Sequence, residues 1–476
     1  MERKSGVLMH ITSLFGDYSS GSFGKCAKEF IDFLKKCKFS YWQVLPFLMA
    51  DGFNSPYQSY SAFSSNPYFI DLDILFEKGL ITKDELLSNK QTQPYSTEYE
   101  ILWEKRFDLL SKASKRVIDK TKINDFISSR EHIENFCIFM AKKEANDNKS
   151  WHEWENDLYS EETLFMWKFI QYEFISQWKE IKKYANDNGI KIIGDIPIYV
   201  SYDSSDVWAN KDEFLLDEDN LPVCVAGVPP DYFSQDGQLW GNPLYNWDKM
   251  KKNGYKWWID RMSFMAELFD GVRIDHFRGL ESFWAVPYGS KTAKNGEWKK
   301  GPGMDLINKL NEKFSDKLII AEDLGEITPE VIKLVEDSGY PGIRVFQFGF
   351  LGDDDNPHMP HNYINNSVVY TGTHDNNTLL GYMWELPMDN KKRMLEYCNY
   401  ISSDWEGGYD SILRSIFASN AGIVILPIQD LLGYGGDTRM NVPGRADGNW
   451  RFRITKEQLN SIDISKFKRL NELYKR

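Results

Sequence analysis

Four carboxylates in this chain each follow a short apolar run, and that placement is the first hint of chemistry. Asp195 closes Ile192-Ile193-Gly194-Asp195, Asp275 closes Val272-Arg273-Ile274-Asp275, Glu322 closes Ile319-Ile320-Ala321-Glu322, and His374-Asp375 follow the run Ser367–Thr371. One acidic strand end is commonly a helix cap or an ion-pair member. Several like charges gathered at one place are costly, and they more often mark a site. Two carboxyl groups flanking a bond are what glycoside chemistry needs, one protonated to release the leaving oxygen and one ionised to attack or to activate water. Arg273 stands two residues before Asp275, so on a strand both side chains share a face. The guanidinium would then keep the carboxylate ionised, as a nucleophile requires, although a plain structural ion pair has the same spacing. Glu322, at an apolar strand end beside other carboxylates, is suited to keep its proton as an acid. His276 and His374 adjoin these acidic ends and are candidate donors to sugar hydroxyls, the alternative being packed or capping histidines.

Other chemistries lack their parts. The seven histidines include no HxH or HExxH arrangement, and no strand ends in a lysine placed for a Schiff base. The glycine-rich Gly433-Tyr434-Gly435-Gly436 could cradle a phosphate, but Asp430 and Asp437 on either side would repel one.

Residues so placed need strands that end on one face. Eight short apolar runs separated by helical stretches read as buried parallel strands: Gly6–His10, Tyr41–Leu45, Lys191–Ile196, Gly271–Asp275, Leu318–Glu322, Ile343–Phe348, Ser367–Thr371 and Ala421–Pro427. The economical fold is α/β, a (β/α)8 TIM barrel whose sites lie at the carboxyl ends of the strands. One catalytic barrel over residues 1–476, with large loop insertions, accounts for the length. The largest insertion falls between the second and third strands. An aromatic loop at about 46–70, free of charge over Phe53–Phe69, precedes a helical subdomain at about 72–185, with helical periodicity over Glu98–Lys120, Asn124–Ala145 and Glu161–Tyr184. Asn186–Gly189 is a helix stop that hands the chain to strand three. A second aromatic stretch, Pro222–Trp247, holds five aromatics and two charges and reads as a binding loop or a packed surface loop. Planar rings among neutral hydrogen-bonding groups suit the apolar face and hydroxyls of a sugar.

Composition narrows the partners. Charged residues make up 27%, hydrophobic ones 42%, and no apolar stretch approaches the ~20 residues of a membrane span. Seventy acidic against fifty-seven basic residues give a formal charge of −13, which disfavours nucleic acid and anionic membranes. Five scattered cysteines without a CxxC pair suggest reduced structural thiols, and the opening Met-Glu-Arg-Lys lacks a signal-peptide pattern, so a cytoplasmic location is expected.

A dense, ordered set of motifs carries a resemblance that runs nearly end to end. It includes Asn54-Ser55-Pro56-Tyr57, Gly194-Asp195-Ile196-Pro197, Gly227-Val228-Pro229-Pro230-Asp231-Tyr232-Phe233 and Gly237-Gln238-Leu239-Trp240-Gly241-Asn242-Pro243. It continues through Arg273-Ile274-Asp275-His276-Phe277-Arg278-Gly279, Ala321-Glu322-Asp323-Leu324-Gly325, Gly372-Thr373-His374-Asp375-Asn376 and Met440-Asn441-Val442-Pro443-Gly444. The chain thereby resembles the 4-α-glucanotransferases of glycoside hydrolase family 77, the amylomaltases or disproportionating enzymes, relatives of the α-amylases. The resemblance implies a barrel without a separate C-terminal β domain, which agrees with a tail holding only a loop, Asn449–Arg453, and a helical stretch from Thr455. It implies Asp275 as nucleophile, Glu322 as acid/base and Asp375 as transition-state stabiliser. Tyr57, Asp231, Gln238, Trp240, Arg273, His374 and Asn441 match positions lining the sugar subsites, and Asp195 and His276 join them from the strand-end reading. Maltooligosaccharides and starch- or glycogen-derived α-1,4-glucans are the implied donors, glucose is an implied acceptor, and no metal or organic cofactor is required. An α-amylase-like hydrolase and a non-catalytic glucan-binding barrel are the rival readings. Ile11 and Phe15 replace usual prolines and Ser22 stands where the family commonly has Asp, departures that bear on the loop after strand one.

Overall fold

A computed structural model describes the chain from Met1 to Arg476 apart from residues 51, 53, 231–234, 353, 354, 403 and 446. Twelve strands occur among the described residues: β1 (Lys4–Leu8), β2 (Tyr41–Gln43), β3 (Lys191–Ile196), β4 (Cys224–Val228), β5 (Gln238–Pro243), β6 (Gly271–Ile274), β7 (Ser282–Pro287), β8 (Glu297–Lys300), β9 (Leu318–Ala321), β10 (Gly342–Val345), β11 (Ser367–Tyr370) and β12 (Ile423–Pro427). Eight of them close into a parallel barrel in the order β1-β12-β11-β10-β9-β6-β3-β2. These are the eight runs read from the sequence, with ends shifted by a few residues. The sixth begins at Gly342 and stops at Val345, because Phe346–Phe350 turn into a 3-10 helix. Valine and isoleucine dominate these strands because both of their faces are buried, one inside the barrel and one under helices.

Close packing fixes some residues outright. A Cβ on Gly194 would lie 2.3 Å from the ring of Phe269, so only glycine lets β3 pass that ring one residue before Asp195.

Between β2 and β3 the chain forms helices over Tyr99–Lys115, Thr121–Ser128, Glu131–Ala145 and Glu161–Asp187. The run expected as one helix over Asn124–Ala145 is two, because Arg130 leaves helical geometry at φ −135° and ψ 81° while the apolar spacing carries on past it. The helix over Glu161–Asp187 starts with the Ser160 hydroxyl accepting from the N–H groups of Glu162 and Thr163. It ends where Gly189 turns left-handed at φ +79° and the Ile190 N–H reaches Ala185 O at 2.9 Å. Its Phe174 and Trp178 meet Phe23 and Phe47 at centroid distances of 4.6–5.9 Å, and the Trp178 indole donates to Leu268 O at 2.8 Å. The same helix therefore belongs to the insertion and seals the outside of the barrel.

The stretch Pro222–Trp247, read as a loop, is structured differently. It contributes β4 and β5 to a second sheet of order β5-β4-β7-β8, antiparallel throughout. Its strands escape a buried-run reading because β5 and β8 are largely exposed and because two of the four come from beyond β6. After β12 the described residues form helices and turns and no strand. All five cysteines are buried and unbridged. No described helix is long and apolar enough to cross a membrane.

Candidate active site

β3, β6 and β9 are consecutive in the barrel, and their carboxyl ends bring three of the four carboxylates together. The register sets Asp195 opposite Arg273, so the two side chains emerge side by side. Arg273 Nη1 donates to both oxygens of Asp195 at 2.9 and 2.7 Å, and Nη2 donates to Asp275 Oδ1 at 2.7 Å. The Tyr57 hydroxyl completes the chain by donating to Asp195 Oδ2 at 2.8 Å. Burial alone would lower the Arg273 pKa, but Asp195 and then Asp275 beside it raise it well above the ordinary arginine value. A fully buried carboxylate is thus matched to a fixed cation, while the Asp275 side chain keeps 29% of its surface open to the cleft.

Glu322 is held by main chain. Its Oε2 accepts the His276 N–H at 2.7 Å and its Oε1 accepts the Leu324 N–H at 3.0 Å. His276 is left-handed, at φ 50° and ψ 47°, and the amide that follows it, of Phe277, donates to Glu322 O at 3.0 Å. Burial raises the Glu322 pKa to about 8, with Asp275 adding to the shift while Arg273 and the His276 amide oppose it. At neutral pH this carboxyl holds a proton. Burial likewise lowers the His276 pKa to about 4, which leaves a neutral imidazole.

Asp375 follows β11. Asn441 Nδ2 donates to its Oδ1 at 2.6 Å, and His374 Nε2 lies 3.3 Å from its Oδ2. Burial works to raise this carboxyl, yet His374 and Asn441 outweigh it and hold the pKa at about 2. Arg439 Nη2 fixes the Asp375 carbonyl at 3.0 Å, and the Asn441 N–H donates to His374 O at 3.1 Å.

Rings line the space between these groups. Tyr57 stacks on His374 at 5.2 Å with 14° between planes, and Trp450 stands 5.9 Å from each. Opposite chemistry comes from the second sheet, where Trp240 meets His276 edge to face at 4.8 Å and its Nε1 donates to Gln238 Oε1 at 3.2 Å. Tyr57 is presented by a loop laced with serines: Ser64 Oγ accepts from Met49 N at 3.0 Å, and Ala62 N donates to the buried Asp206 at 2.7 Å.

All the candidate residues read from the sequence fall into one connected set, except Asp231, which lies outside the described residues. Sequence reasoning missed Trp450, Arg439 and Tyr199, the last 6.3 Å from Trp240. The Asn449–Arg453 loop was in view, but nothing in its composition placed it against Tyr57. Among the described residues no cluster of three or more His, Cys, Asp or Glu is arranged to hold a metal ion.

Comparison with known proteins agrees with this geometry. The family profile described as 4-alpha-glucanotransferase matches residues 9–459. The chain is 44% identical to a 4-alpha-glucanotransferase of Streptococcus pneumoniae over 100% of its own length and 98% of that protein. It is 43% identical to a 4-alpha-glucanotransferase of Clostridium butyricum over 98% of its length and 100% of that protein. Among solved structures, an amylomaltase from Streptococcus agalactiae in complex with acarbose is similar across 100% of both chains, with a TM-score of 0.95 and 38% identity.

Proposed function

The chain belongs to the 4-alpha-glucanotransferase family and is an enzyme of glucan transfer, and from that premise we propose a retaining double displacement on α-1,4-glucans at the site just described. Glu322 gives its proton to the glycosidic oxygen while an Asp275 carboxylate oxygen attacks the anomeric carbon. The C–O bond breaks, the released glucan end departs as an alcohol, and a glucosyl ester of Asp275 remains. The Glu322 carboxylate then takes the proton from the 4-hydroxyl of an acceptor glucan or glucose, whose oxygen displaces Asp275. Two inversions give a new α-1,4 bond of retained configuration.

The observation that carries this reading is the contrast between two carboxyls on neighbouring strands. Glu322 is buried, protonated near neutrality and held by two amides, whereas Asp275 is part-open and paired with a guanidinium. Asp375, kept ionised by His374 and Asn441, is suited to bind sugar hydroxyls and to offset the positive charge of an oxocarbenium-like transition state. Tyr57, His374 and Trp450 offer one wall for a sugar ring, and Trp240 with Gln238 and neutral His276 offers the other. Acarbose in the Streptococcus agalactiae relative supports a saccharide in this cleft. Rings on both sides would limit water at the ester, which is what separates transfer from hydrolysis. Five buried, unbridged cysteines fit action in a reducing compartment, the cytoplasm, on maltodextrins derived from starch or glycogen.

Incubation with maltotriose, with products resolved by length, tests the reading. The expected result is a ladder of longer maltodextrins together with free glucose, abolished in Asp275→Asn. Shorter sugars alone, with rising reducing ends, would instead make the protein a hydrolase.

A further inference from the structure

Asp430 touches none of the groups assigned to the chemistry, yet it fastens the chain that carries one of them. It lies in the short helix Ile428–Leu432 directly after β12 and is 1% exposed. Its Oδ2 accepts the Thr371 hydroxyl at 2.5 Å and its Oδ1 accepts the Leu379 backbone N–H at 2.8 Å. Thr371 is the first residue past β11, and Leu379 is the first residue of the helix Leu379–Glu385. The segment between them, residues 372–378, bears His374 and Asp375. Both ends of that loop are therefore tied to one buried carboxylate reached from the adjacent barrel strand.

Asp430 is itself fixed, since its carbonyl accepts the Tyr409 hydroxyl at 2.7 Å. The helix end has its own cap without Asp430: the Thr378 hydroxyl accepts the Gly381 N–H at 3.0 Å. From the other flank Gln347 Nε2 donates to Asn377 O at 2.7 Å, and inside the loop Asn376 Oδ1 accepts both the Thr373 N–H and its hydroxyl at 2.8 and 2.9 Å. These bonds make the loop a stiff unit, and its two ends locate that unit against the cleft. A buried carboxylate with only neutral donors is a costly way to stabilise a fold, so a role in placement explains it better than stability alone.

We propose that Asp430 is a positioning residue for glucan transfer, clamping both ends of the 372–378 loop and so setting where Asp375 stands against the sugar. This rests on the role given to Asp375 above. A displacement of the loop by an ångström would weaken a contact that matters most in the transition state, so kcat should suffer more than KM.

The test compares Asp430→Ala, Asp430→Asn and Thr371→Val in the full-length protein, each with and without Asp375→Asn, by maltotriose disproportionation kinetics and thermal midpoint. Asp430→Ala should lower kcat about tenfold to hundredfold with KM changed less than about threefold. Asp430→Asn should stay within about threefold of the parent, because its amide oxygen can accept the Leu379 N–H while the Thr371 hydroxyl turns to accept from the amide nitrogen. In the Asp375→Asn background, Asp430→Ala should cost less than about twofold more, there being no carboxylate left to misplace. Wild-type kcat in folded Asp430→Ala, or equal losses in both backgrounds, would overturn the clamp while leaving the role of Asp375 intact. Full turnover in Asp375→Asn alone would sink that role and the clamp with it. Should Asp430→Ala fail to fold, Thr371→Val removes one anchor only and carries the same comparison, with an expected loss of about threefold to tenfold.

Discussion

Replacing Glu322 by glutamine should stop turnover and, at alkaline pH, make the folded protein more stable than the parent. The carboxyl sits at about 8 in the fold against an ordinary 4.5, because burial penalises its charged form. The folded state thus binds this proton more tightly than the unfolded chain does. The resulting stability is fully present below about pH 4.5 and drains away as pH rises through about 8. At ~1.4 kcal/mol per pH unit the loss approaches about 5 kcal/mol, an upper value, by about pH 8.5. Glutamine carries no titrating proton and escapes that loss. It brings its own penalty, since its amide nitrogen must face one of the two N–H groups that Glu322 accepts, but that cost of about 1–3 kcal/mol does not vary with pH. Urea unfolding of both proteins at about pH 5 and about pH 8.5 isolates the titrating part. The difference between variant and parent should move in favour of the variant by about 2–5 kcal/mol across that interval. A difference that stays flat, or moves toward the parent, would refute the raised carboxyl and with it the assignment of Glu322 as a protonated acid at neutral pH. The kinetic counterpart is an alkaline limb of kcat/KM near about pH 8 in the parent.

Asn441→Ala removes a donor that helps hold Asp375 at about 2, so the carboxyl should rise and the acid limb of the kcat profile should move to higher pH. Tyr57→Phe deletes the hydroxyl on buried Asp195 but keeps the stack on His374, and denaturant unfolding should register a loss of about 1–3 kcal/mol. Gly194→Ala would press a methyl into the Phe269 ring, so the thermal midpoint should fall by the equivalent of about 1–3 kcal/mol, with activity falling as Asp195 is displaced.

The barrel was legible because its strands are buried on both faces. Ile192-Ile193 or Val368-Val369 do not alternate with polar residues, and three of the eight runs stop where the chain meets the cleft at an acid, Asp195, Asp275 and Glu322. The second sheet lacked that signal: Gln238-Leu239-Trp240-Gly241 is mostly exposed, and its partners Ser282–Pro287 and Glu297–Lys300 follow β6, far along the chain. The split at Arg130 was hidden for a related reason, since the apolar spacing of one helix continues into the next. In the site, side chains at strand ends could be placed by period alone, as with Arg273 beside Asp275. The main-chain bonds that hold Glu322 could not, because a peptide N–H and a left-handed histidine leave no mark in composition. The roles of Trp450 and Asp430 were hidden for a third reason, their partners lying 393 and 59 residues away, at Tyr57 and Thr371.

That left-handed turn at His276 also shapes what mutation can reach. The bond from residue 276 to Glu322 is made by a peptide N–H, so nearly every exchange of the side chain leaves it in place. Only proline deletes the donor outright, and a bulky or β-branched replacement pays about 1–2 kcal/mol for the backbone geometry without altering the bond. Side-chain variation can instead act on the strength of the acid through the residues that bury Glu322 and through the charges of Arg273, Asp275 and Asp323. A laboratory library built on side-chain diversity therefore tunes the acid through its burial and its charged neighbours, and leaves the hydrogen bond from the residue 276 N–H outside its reach.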